Sequence, residues 1–307
     1  MGTGEEKRTM KNRYGLGMIL IVSLAALVVH GHGEQLVSSG QNVQPVFEGW
    51  EKNEDGSFNL VFGYFNRNSD ETVYVPIGPN NNIAPTGPDA GQPEYFYPIR
   101  NMFVFRVKVP KDFGSNEIVW TVAHRGRTDR AIGSLLPTYI IDDDVIGMNF
   151  GGGHPAAANK PPEVTLEGAV ERHVAIGEPL TLVVRVRDDA FPAKIRPAPQ
   201  PRVGAGPPGR MSSVGLRVSW IQYRGGPATA KFLPVQSLIY SDPRSPLSPW
   251  APGWVPPTLA ANGEIITKAT FSEPGVYVLR AIAHDGYSYS TQDVRVTVGQ
   301  SSSPHRN

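Results

Sequence analysis

Clustered carboxylates are the residues in this sequence whose spacing comes nearest to a metal site. Asp142, Asp143 and Asp144 are consecutive, and Asp188 and Asp189 follow a strand-like run. Oxygen ligands of this kind suit Ca²⁺, which takes six to eight of them. Solvated turns have the same composition, however, and no D-x-D-x-D-G loop is present. Calcium is therefore the one cofactor hypothesis, and a solvated turn is the favoured interpretation.

None of the short motifs that identify catalytic sites is present. The sequence lacks G-x-S-x-G, S-x-x-K and G-x-x-x-x-G-K, which mark many hydrolases and nucleotide-binding enzymes. Its seven histidines are scattered without an H-E-x-x-H pair, and it has no cysteine. Disulfides and thiolate chemistry are therefore excluded. We predict no catalytic residue, and an enzyme with a site assembled between two domains remains the second alternative.

Two tryptophans are the most distinctive aromatic residues outside the strand-like runs. Trp250 and Trp254 lie in the proline-rich segment SPWAPGW. Rigid indole rings on a surface loop can stack on a sugar or anchor a protein interface. They can instead fold back under their own loop and cover a sheet edge, which is the favoured interpretation. They remain the candidate ligand-binding residues.

Composition points to an all-β protein. The 307 residues include 33 Gly and 29 Pro, and only 19% are charged. Gly and Pro disfavour helices and suit short strands joined by turns. The formal net charge is +1, and no basic stripe runs along the chain. Nucleic acid is therefore excluded as an expected partner.

The amino terminus predicts export. Basic residues up to Arg13 precede the apolar run Leu16–Val29, whose length suits a signal peptide better than a membrane span. We expect residues 1–33 to be a cleaved signal, with an uncleaved anchor in the inner membrane through residues 16–29 as the alternative. Either places the rest of the chain in the periplasm or at the cell surface.

Two β-rich segments follow. In the first, residues 43–146, Ser57–Phe65, Phe103–Val109 and Glu117–Ala123 alternate apolar and polar residues as half-buried strands do. A loop-rich stretch at residues 76–98 separates the first two of these strands. Long loops of this kind are often functional or partly mobile. Residues 147–162 are rich in Gly, Ala and Pro and are predicted to be a linker.

The second segment, residues 163–298, contains the clearest strands. Pro179–Arg187, Gly215–Tyr223, Gly263–Ser272, Gly275–His284 and Asp293–Val298 all have strand-like patterns. Two proline-rich stretches, residues 191–213 and 241–261, interrupt them and are predicted to be surface insertions. Residues 299–307 are predicted to be a disordered tail. The fold expected is two consecutive antiparallel β-sandwiches after an N-terminal signal or anchor helix.

The closing stretch FSEPGVYVLRAIAHDGYSYSTQDVRVTV, residues 271–298, resembles the last three strands of immunoglobulin-like and PKD-like extracellular modules. The resemblance implies that Tyr277 forms a tyrosine corner and that Leu279 replaces the second cysteine of antibody domains. It also implies that Trp220 is the core tryptophan. In the first segment, EGWEKNEDGSFNLVFGYFNRN and RNMFVFRVKVP resemble exported bacterial proteins that bring no established activity.

The expected function is non-enzymatic: a binding, adhesion or structural module of the bacterial envelope that is able to self-assemble. The first alternative is a carbohydrate-binding or accessory protein that uses Trp250, Trp254 and loop residues 76–98. Expected partners are a protein or a glycan at the cell envelope. Contact with a membrane is expected only through the N-terminal segment. Fold class alone gives none of these functions weight.

Overall fold

Strands account for most of the regular structure in the described part of the chain. The computed structural model describes residues 37–142, 145, 159–189, 216–226, 228–236, 259–285 and 288–300. Residues from Val37 onward form one compact unit. The all-β prediction is confirmed. Within the described ranges no helix is long and apolar enough to cross a membrane. The predicted leader, residues 1–33, and linker residues 147–158 lie outside these ranges.

Eight strands between Val43 and Gly133 build the first sandwich. In chain order they are β1 (Val43–Lys52), β2 (Phe58–Asn66), β3 (Val73–Tyr74), β4 (Asn81–Ala84), β5 (Tyr95–Phe96), β6 (Ile99–Val109), β7 (Ile118–His124) and β8 (Arg127–Gly133). One sheet has the order β1-β2-β6 and the other β4-β7-β8, while β3 pairs with β5. A 3-10 turn at Pro137–Tyr139 follows β8.

Trp120 lies at the centre of the first core, where aromatic rings from both sheets meet. Its ring centroid is 4.9 Å from that of Phe105 and 6.1 Å from those of Phe62 and Phe96. The indole Nε1 donates a 3.0 Å hydrogen bond to Asn81. The alternation predicted for these strands therefore produces a core, and the one polar atom of Trp120 is satisfied inside it.

Buried asparagines hold the stretch 76–98 in place. Asn66, Asn81 and Asn101 are fully buried, and their side-chain amides donate to backbone carbonyls. The acceptors are Glu71 and Phe96 for Asn66, Val75 and Pro93 for Asn81, and Tyr97, Pro98 and Ile99 for Asn101. Because buried carbonyls need donors, these amides supply them where the short strands β4 and β5 leave the stretch without ladder hydrogen bonds. The loop is a fixed element of the first sandwich.

Eight further strands build the second sandwich. They are β9 (Glu163–Leu166), β10 (Glu171–Ala175), β11 (Leu180–Arg187), β12 (Arg217–Arg224), β13 (Lys231–Leu233), β14 (Glu264–Thr270), β15 (Gly275–His284) and β16 (Tyr289–Gly299). The sheets have the orders β13-β14-β11-β9 and β10-β16-β15-β12. The pairing of β10 with β16 is parallel, an exception to the antiparallel pairing that the sequence predicts.

The second sandwich has the immunoglobulin arrangement, with four strands in each of two facing sheets. Trp220 in β12 and Leu279 in β15 are buried in its core. The Tyr277 hydroxyl donates a 2.9 Å hydrogen bond to the backbone carbonyl of Glu273. The roles implied for Tyr277, Leu279 and Trp220 are confirmed.

For the eight strands that the sequence predicts, the limits agree closely with the structure except at two strand starts, and the other eight strands were not predicted. β15 has the predicted limits, whereas β6 begins four residues before Phe103 and β16 begins four residues before Asp293. A register shift between Phe62 and Tyr64 lets β6 continue beyond the bulge at Phe103. The domain limits, residues 43–146 and 163–298, stay predictions, and Gly299 of the predicted tail ends β16.

Replacing Tyr277 with phenylalanine removes only the corner hydroxyl. We expect the free energy of unfolding to fall by about 1 kcal/mol, because the Glu273 carbonyl loses its donor. Urea denaturation followed by tryptophan fluorescence measures the change. Tyr139→Phe is the matched control, because Tyr139 is exposed and its ring contact with Phe47 is kept. Equal stability of Tyr277→Phe and wild type would show that the corner contributes nothing.

Candidate functional site

The predicted site residues fall partly outside the described chain. Trp250, Trp254, Asp143 and Asp144 all lie outside the described ranges. Asp142 accepts a hydrogen bond from the backbone amide of Val145 (2.9 Å) and Asp189 accepts one from that of Lys160 (3.0 Å). Among the described residues no group of three His, Cys, Asp or Glu side chains is placed to hold a metal ion. Calcium binding stays a prediction.

The two sandwiches pack against each other along a surface that we call the joint. The face of β12 and β15 that points away from the second core lies against the first sandwich. Ile221, Tyr223 and Ile282 from this face belong to the same buried cluster as the first core. The two sandwiches therefore share apolar packing in addition to the chain that connects them.

Tyr97 seals the free edge of β12 at the joint. Its hydroxyl accepts a 2.9 Å hydrogen bond from the Gln222 amide and donates a 2.9 Å hydrogen bond to the Gln222 carbonyl. β12 is an edge strand of its sheet, so these backbone groups have no partner strand. Burial raises the pKa of the Tyr97 hydroxyl, which keeps its proton available for donation.

Other residues of the fixed loop extend this contact toward the end of β12. Arg224 forms a two-pronged ion pair with Asp89, with distances of 2.8 and 2.9 Å. The Tyr223 hydroxyl donates to the Gly91 carbonyl at 2.6 Å. Glu94 accepts a 2.8 Å hydrogen bond from the backbone amide of Gly225. Loop residues 89–97 are thus engaged with the second sandwich, which sequence reasoning did not foresee.

A second set of polar contacts closes the joint near β6. Arg106 forms a two-pronged ion pair with Glu51 and also contacts the Tyr289 hydroxyl, which donates to the Phe103 carbonyl. Burial raises the pKa of Tyr289. Arg280 lies 3.4 Å above the ring of Tyr223. Planar guanidinium groups suit such stacked and paired sites. The charged groups that meet between the sandwiches are therefore paired with one another.

A buried polar cluster closes one end of the second sandwich, which we call the insertion pole. Asp285 is fully buried and accepts hydrogen bonds from the Ser288 amide (2.7 Å), the Ser288 hydroxyl (3.0 Å) and Asn159 (3.1 Å). The next residue, Lys160, donates its backbone amide to Asp189. Asn159 and Lys160 thus tie the ends of both sheets together. In the sequence Asp285 follows a strand-like run and precedes a glycine, a position where aspartate ordinarily indicates a turn.

The first proline-rich insertion leaves and returns at the insertion pole, and the second returns there. The first leaves after Asp189 at the end of β11 and returns at the start of β12. Arg217, the first residue of β12, pairs with His284, the last of β15. The second insertion returns before β14, whose first residue, Glu264, pairs with Arg185 near the end of β11. Loops that gather at one end of such a sandwich are where variable domains bind their ligands.

Two buried basic groups at the insertion pole have altered acidity. Burial lowers the pKa of Arg217 to about 10, although Asp285 acts in the opposite direction. Burial also holds the pKa of His284 well below its ordinary value, and the positive charge of Arg217 lowers it further. The His284 ring stacks on Tyr289 with a centroid distance of 6.3 Å. His284 is therefore neutral at neutral pH and links the pole to the joint.

Comparisons with known proteins identify no relative. No protein-family model matches the chain, and no curated protein matches it. Solved structures show a weak likeness. The N-terminal eight Ig domains of Down Syndrome Cell Adhesion Molecule align with 6% identity over 84% of this chain and 27% of that chain (TM-score 0.25). The chain thus spans about a quarter of that chain's length.

Domains 4 and 5 of the S-layer protein SbsC align with 10% identity over 60% of this chain and 65% of that one (TM-score 0.24). The fibronectin(III)-like modules of Clostridium thermocellum CbhA align with 10% identity over 87% of this chain and 98% of that one (TM-score 0.23). TM-scores this low give no information about function. The assignment of the sandwich fold rests on the strand order described above.

Replacing Tyr97 with phenylalanine tests the seal at the joint. The backbone N–H and C=O of Gln222 then lose their partner while buried, so we expect about 2 kcal/mol less stability toward urea. Tyr74→Phe is the control, since Tyr74 contributes its ring to a contact with Tyr95 and no hydroxyl contact at the joint. A Tyr97→Phe protein as stable as the Tyr74→Phe protein would contradict the assigned role.

Because the pKa of His284 is lowered in the folded protein, we expect the protein to lose stability in mild acid. The unfolded chain takes up a proton on this residue below about pH 6.5, whereas the folded chain does so only at lower pH. Stability therefore falls as the pH drops below about 6.5, by up to about 1.4 kcal/mol per pH unit. Urea denaturation between pH 7 and pH 5 measures this slope. His284→Gln should flatten it, and His173→Gln, at an exposed position of β10, should not.

Proposed function

We propose that this chain is an exported, non-enzymatic protein of the bacterial cell envelope whose two sandwiches work as one rigid binding or structural module. The observation that carries the proposal is the joint. Ile221, Tyr223 and Ile282 lie in a core shared with the first sandwich, and Tyr97 hydrogen-bonds both backbone groups of Gln222. A shared core and a sealed edge keep the orientation of the two sandwiches constant.

Placement of the insertions supports binding at the insertion pole. The first insertion leaves and returns at this pole, the second returns there, and the turn between β15 and β16 lies there as well. Asp285 and Asp189 brace the pole through Asn159 and Lys160. A rigid scaffold that carries several loops at one end is a common arrangement for recognition. A partner protein is the preferred ligand.

The pairing of charged groups supports a non-enzymatic role. An enzyme with a site between the sandwiches needs titratable groups in a cleft that substrate can enter. The arginines at the joint are instead committed to structural partners: Arg106 to Glu51, Arg224 to Asp89 and Arg280 to Asp293. Of these three pairs, Arg224 with Asp89 joins the two sandwiches and the other two lie within one sandwich each, so every one of these guanidinium groups already has a carboxylate partner.

Export and anchoring are part of the same proposal and rest on the sequence of residues 1–33. The glycan alternative loses part of its proposed surface, because loop residues 89–97 are engaged in the joint. It then depends on Trp250 and Trp254. Nucleic acid is not a proposed partner, and a membrane is proposed only for residues 16–29.

Site-specific photocrosslinking in bacteria that express the full chain tests the proposal. A photoreactive amino acid at Ala261, an exposed residue in the turn before β14, reports on the insertion pole. The same amino acid at Glu178, exposed in the turn before β11, reports on the opposite end. We expect the exported protein to crosslink to an envelope protein from position 261 and not from position 178.

Fractionation of the same cells gives the control for compartment. Protein retained in the cytoplasm would contradict export, and equal crosslinking from both positions would contradict recognition at the insertion pole. Crosslinks only between copies of this chain would make it a self-assembling structural subunit. A glycan ligand is tested separately by tryptophan fluorescence with envelope polysaccharide, comparing wild type with Trp250→Ala and Trp254→Ala.

A further inference from the structure

Two residues of β6 adopt a backbone conformation that costs free energy. Ile99 has a φ of 62° and Phe103 a φ of 53°, in the left-handed region that residues other than glycine rarely adopt. For a β-branched or bulky residue such an angle is an outlier, and it persists only where the surrounding structure enforces it. Residues 99–103, which we call the strained segment, therefore depend on contacts that hold them in place.

The strained segment includes a bulge in the pairing of β6 with β2. Phe62 lies opposite Phe105, and Tyr64 lies opposite Asn101. The step along β2 is thus two residues and the step along β6 is four, so β6 contains two extra residues here. Gly63 makes room for the bulge, because a Cβ at this position would collide with the Asn101 carbonyl. The bulge sets where every residue before it lies along the strand.

A second pairing of β2 with β6, without the bulge, keeps the faces of both strands. A shift of two residues leaves each side chain on its own side of the sheet, because the side-chain period is two. Met102 would then lie opposite Phe65, where Arg100 lies in the structure. This continuous pairing needs no positive φ within β6. It would move Tyr97 along the strand direction by about 7 Å, the length of two residues.

Contacts across the joint hold the strained segment at both ends. Tyr289 donates its hydroxyl to the Phe103 carbonyl, and Arg280 donates to the next carbonyl, that of Val104, at 3.5 Å. Just before the other end, Tyr97 seals the edge of β12. The second sandwich thus contacts the backbone at the bulge and also the residue whose position the bulge sets.

The first sandwich alone does not satisfy the strained segment completely. Asn101 is fully buried, and its side-chain carbonyl has no hydrogen-bond donor among the described residues. A buried acceptor without a donor costs free energy. This unpaired group and the strained backbone both oppose the bulged pairing, so the contacts with the second sandwich are what favour it.

We infer that β6 is a two-state element whose register is set by the second sandwich. With the sandwiches together the bulged pairing is stable, and when contacts across the joint are lost β6 shifts by two residues into the continuous pairing. A state is selected only by contacts that differ between the two states, and the contact of Tyr289 with the Phe103 carbonyl belongs to the bulged one. The shift also withdraws Tyr97 from β12, so the bulge and the joint form together. The inference goes beyond the proposed function, because it concerns how the sandwiches are locked and not what they bind.

Disulfide trapping in the full chain reads the register directly, because the chain has no cysteine of its own. Phe65→Cys with Arg100→Cys reports the bulged pairing, in which these residues lie opposite each other. Phe65→Cys with Met102→Cys reports the continuous pairing. Directly opposite residues of an antiparallel pair are close enough to form a disulfide. Each pair is oxidised in the wild-type background, with Tyr289→Phe and, as the matched control, with Tyr74→Phe.

We expect the disulfide between positions 65 and 100 to form in the wild-type background. Tyr289→Phe should raise the yield of the disulfide between positions 65 and 102 by about tenfold, the effect of one lost hydrogen bond, and Tyr74→Phe should not. Adding Ile99→Gly to Tyr289→Phe removes the Cβ that makes a positive φ costly. It should lower that yield again, whereas added glycine would not reverse general unfolding.

The inference is overturned if Tyr289→Phe leaves the yield of the disulfide between positions 65 and 102 unchanged, or if Ile99→Gly fails to lower it. It is also overturned if this disulfide forms as readily as the other one in the wild-type background. Photocrosslinking from position 261 uses the wild-type joint and is independent of these outcomes, so failure here leaves the proposed function standing.

Discussion

The sheet of β12 and β15 carries apolar side chains on both faces, and the rest of the structure follows from covering both. An antiparallel sheet at a protein surface normally has one apolar face and one polar face. In β12, Val218 and Trp220 point into the second core, while Ile221 and Tyr223 point the other way. Leaving that second face in water would expose a contiguous apolar patch. The first sandwich is its cover.

The second requirement is that the unpaired backbone groups of edge strands find hydrogen-bond partners. Each sandwich supplies such a partner to the other. The hydroxyl of Tyr97 bonds both backbone groups of Gln222 on the edge of β12. In return, Tyr289 donates to the carbonyl of Phe103 on β6, an edge strand of the first sandwich. Open edges invite pairing with other chains. Because Tyr97 belongs to a loop held by buried asparagines, the seal depends on amides inside the first core.

Strands whose apolar and polar residues alternate regularly were predictable from the sequence. Alternation located eight of the sixteen strands, and the motif around Tyr277 identified the corner and the core positions of Leu279 and Trp220. The second apolar face of the sheet of β12 and β15 could also have been predicted. Ile221, Tyr223 and Ile282 occupy alternate positions of strands that the sequence identifies. Sequence reasoning looked for one buried face per strand and therefore did not foresee that the two cores meet at the joint.

Features that depend on burial could not be read from residue type. Asn66, Asn81 and Asn101 lie in turn-rich sequence, where asparagine ordinarily indicates a turn. Only the fold shows that their amides are buried and serve the carbonyls of the loop. Asp285 is similar, because a carboxylate after a strand is typical of an exposed turn. The ligand predictions at Trp250 and Trp254 remain predictions.

The order of the two sandwiches along the chain also matters for how the protein is made. Synthesis runs from the amino terminus, so strands β1 to β8 emerge before β12 and β15 exist. The surface that covers Tyr223 and Ile282 is therefore in place when those residues appear, and domains generally fold in the order of synthesis. In the reverse order, the sheet of β12 and β15 would expose one of its two apolar faces to other chains until the first sandwich had been made.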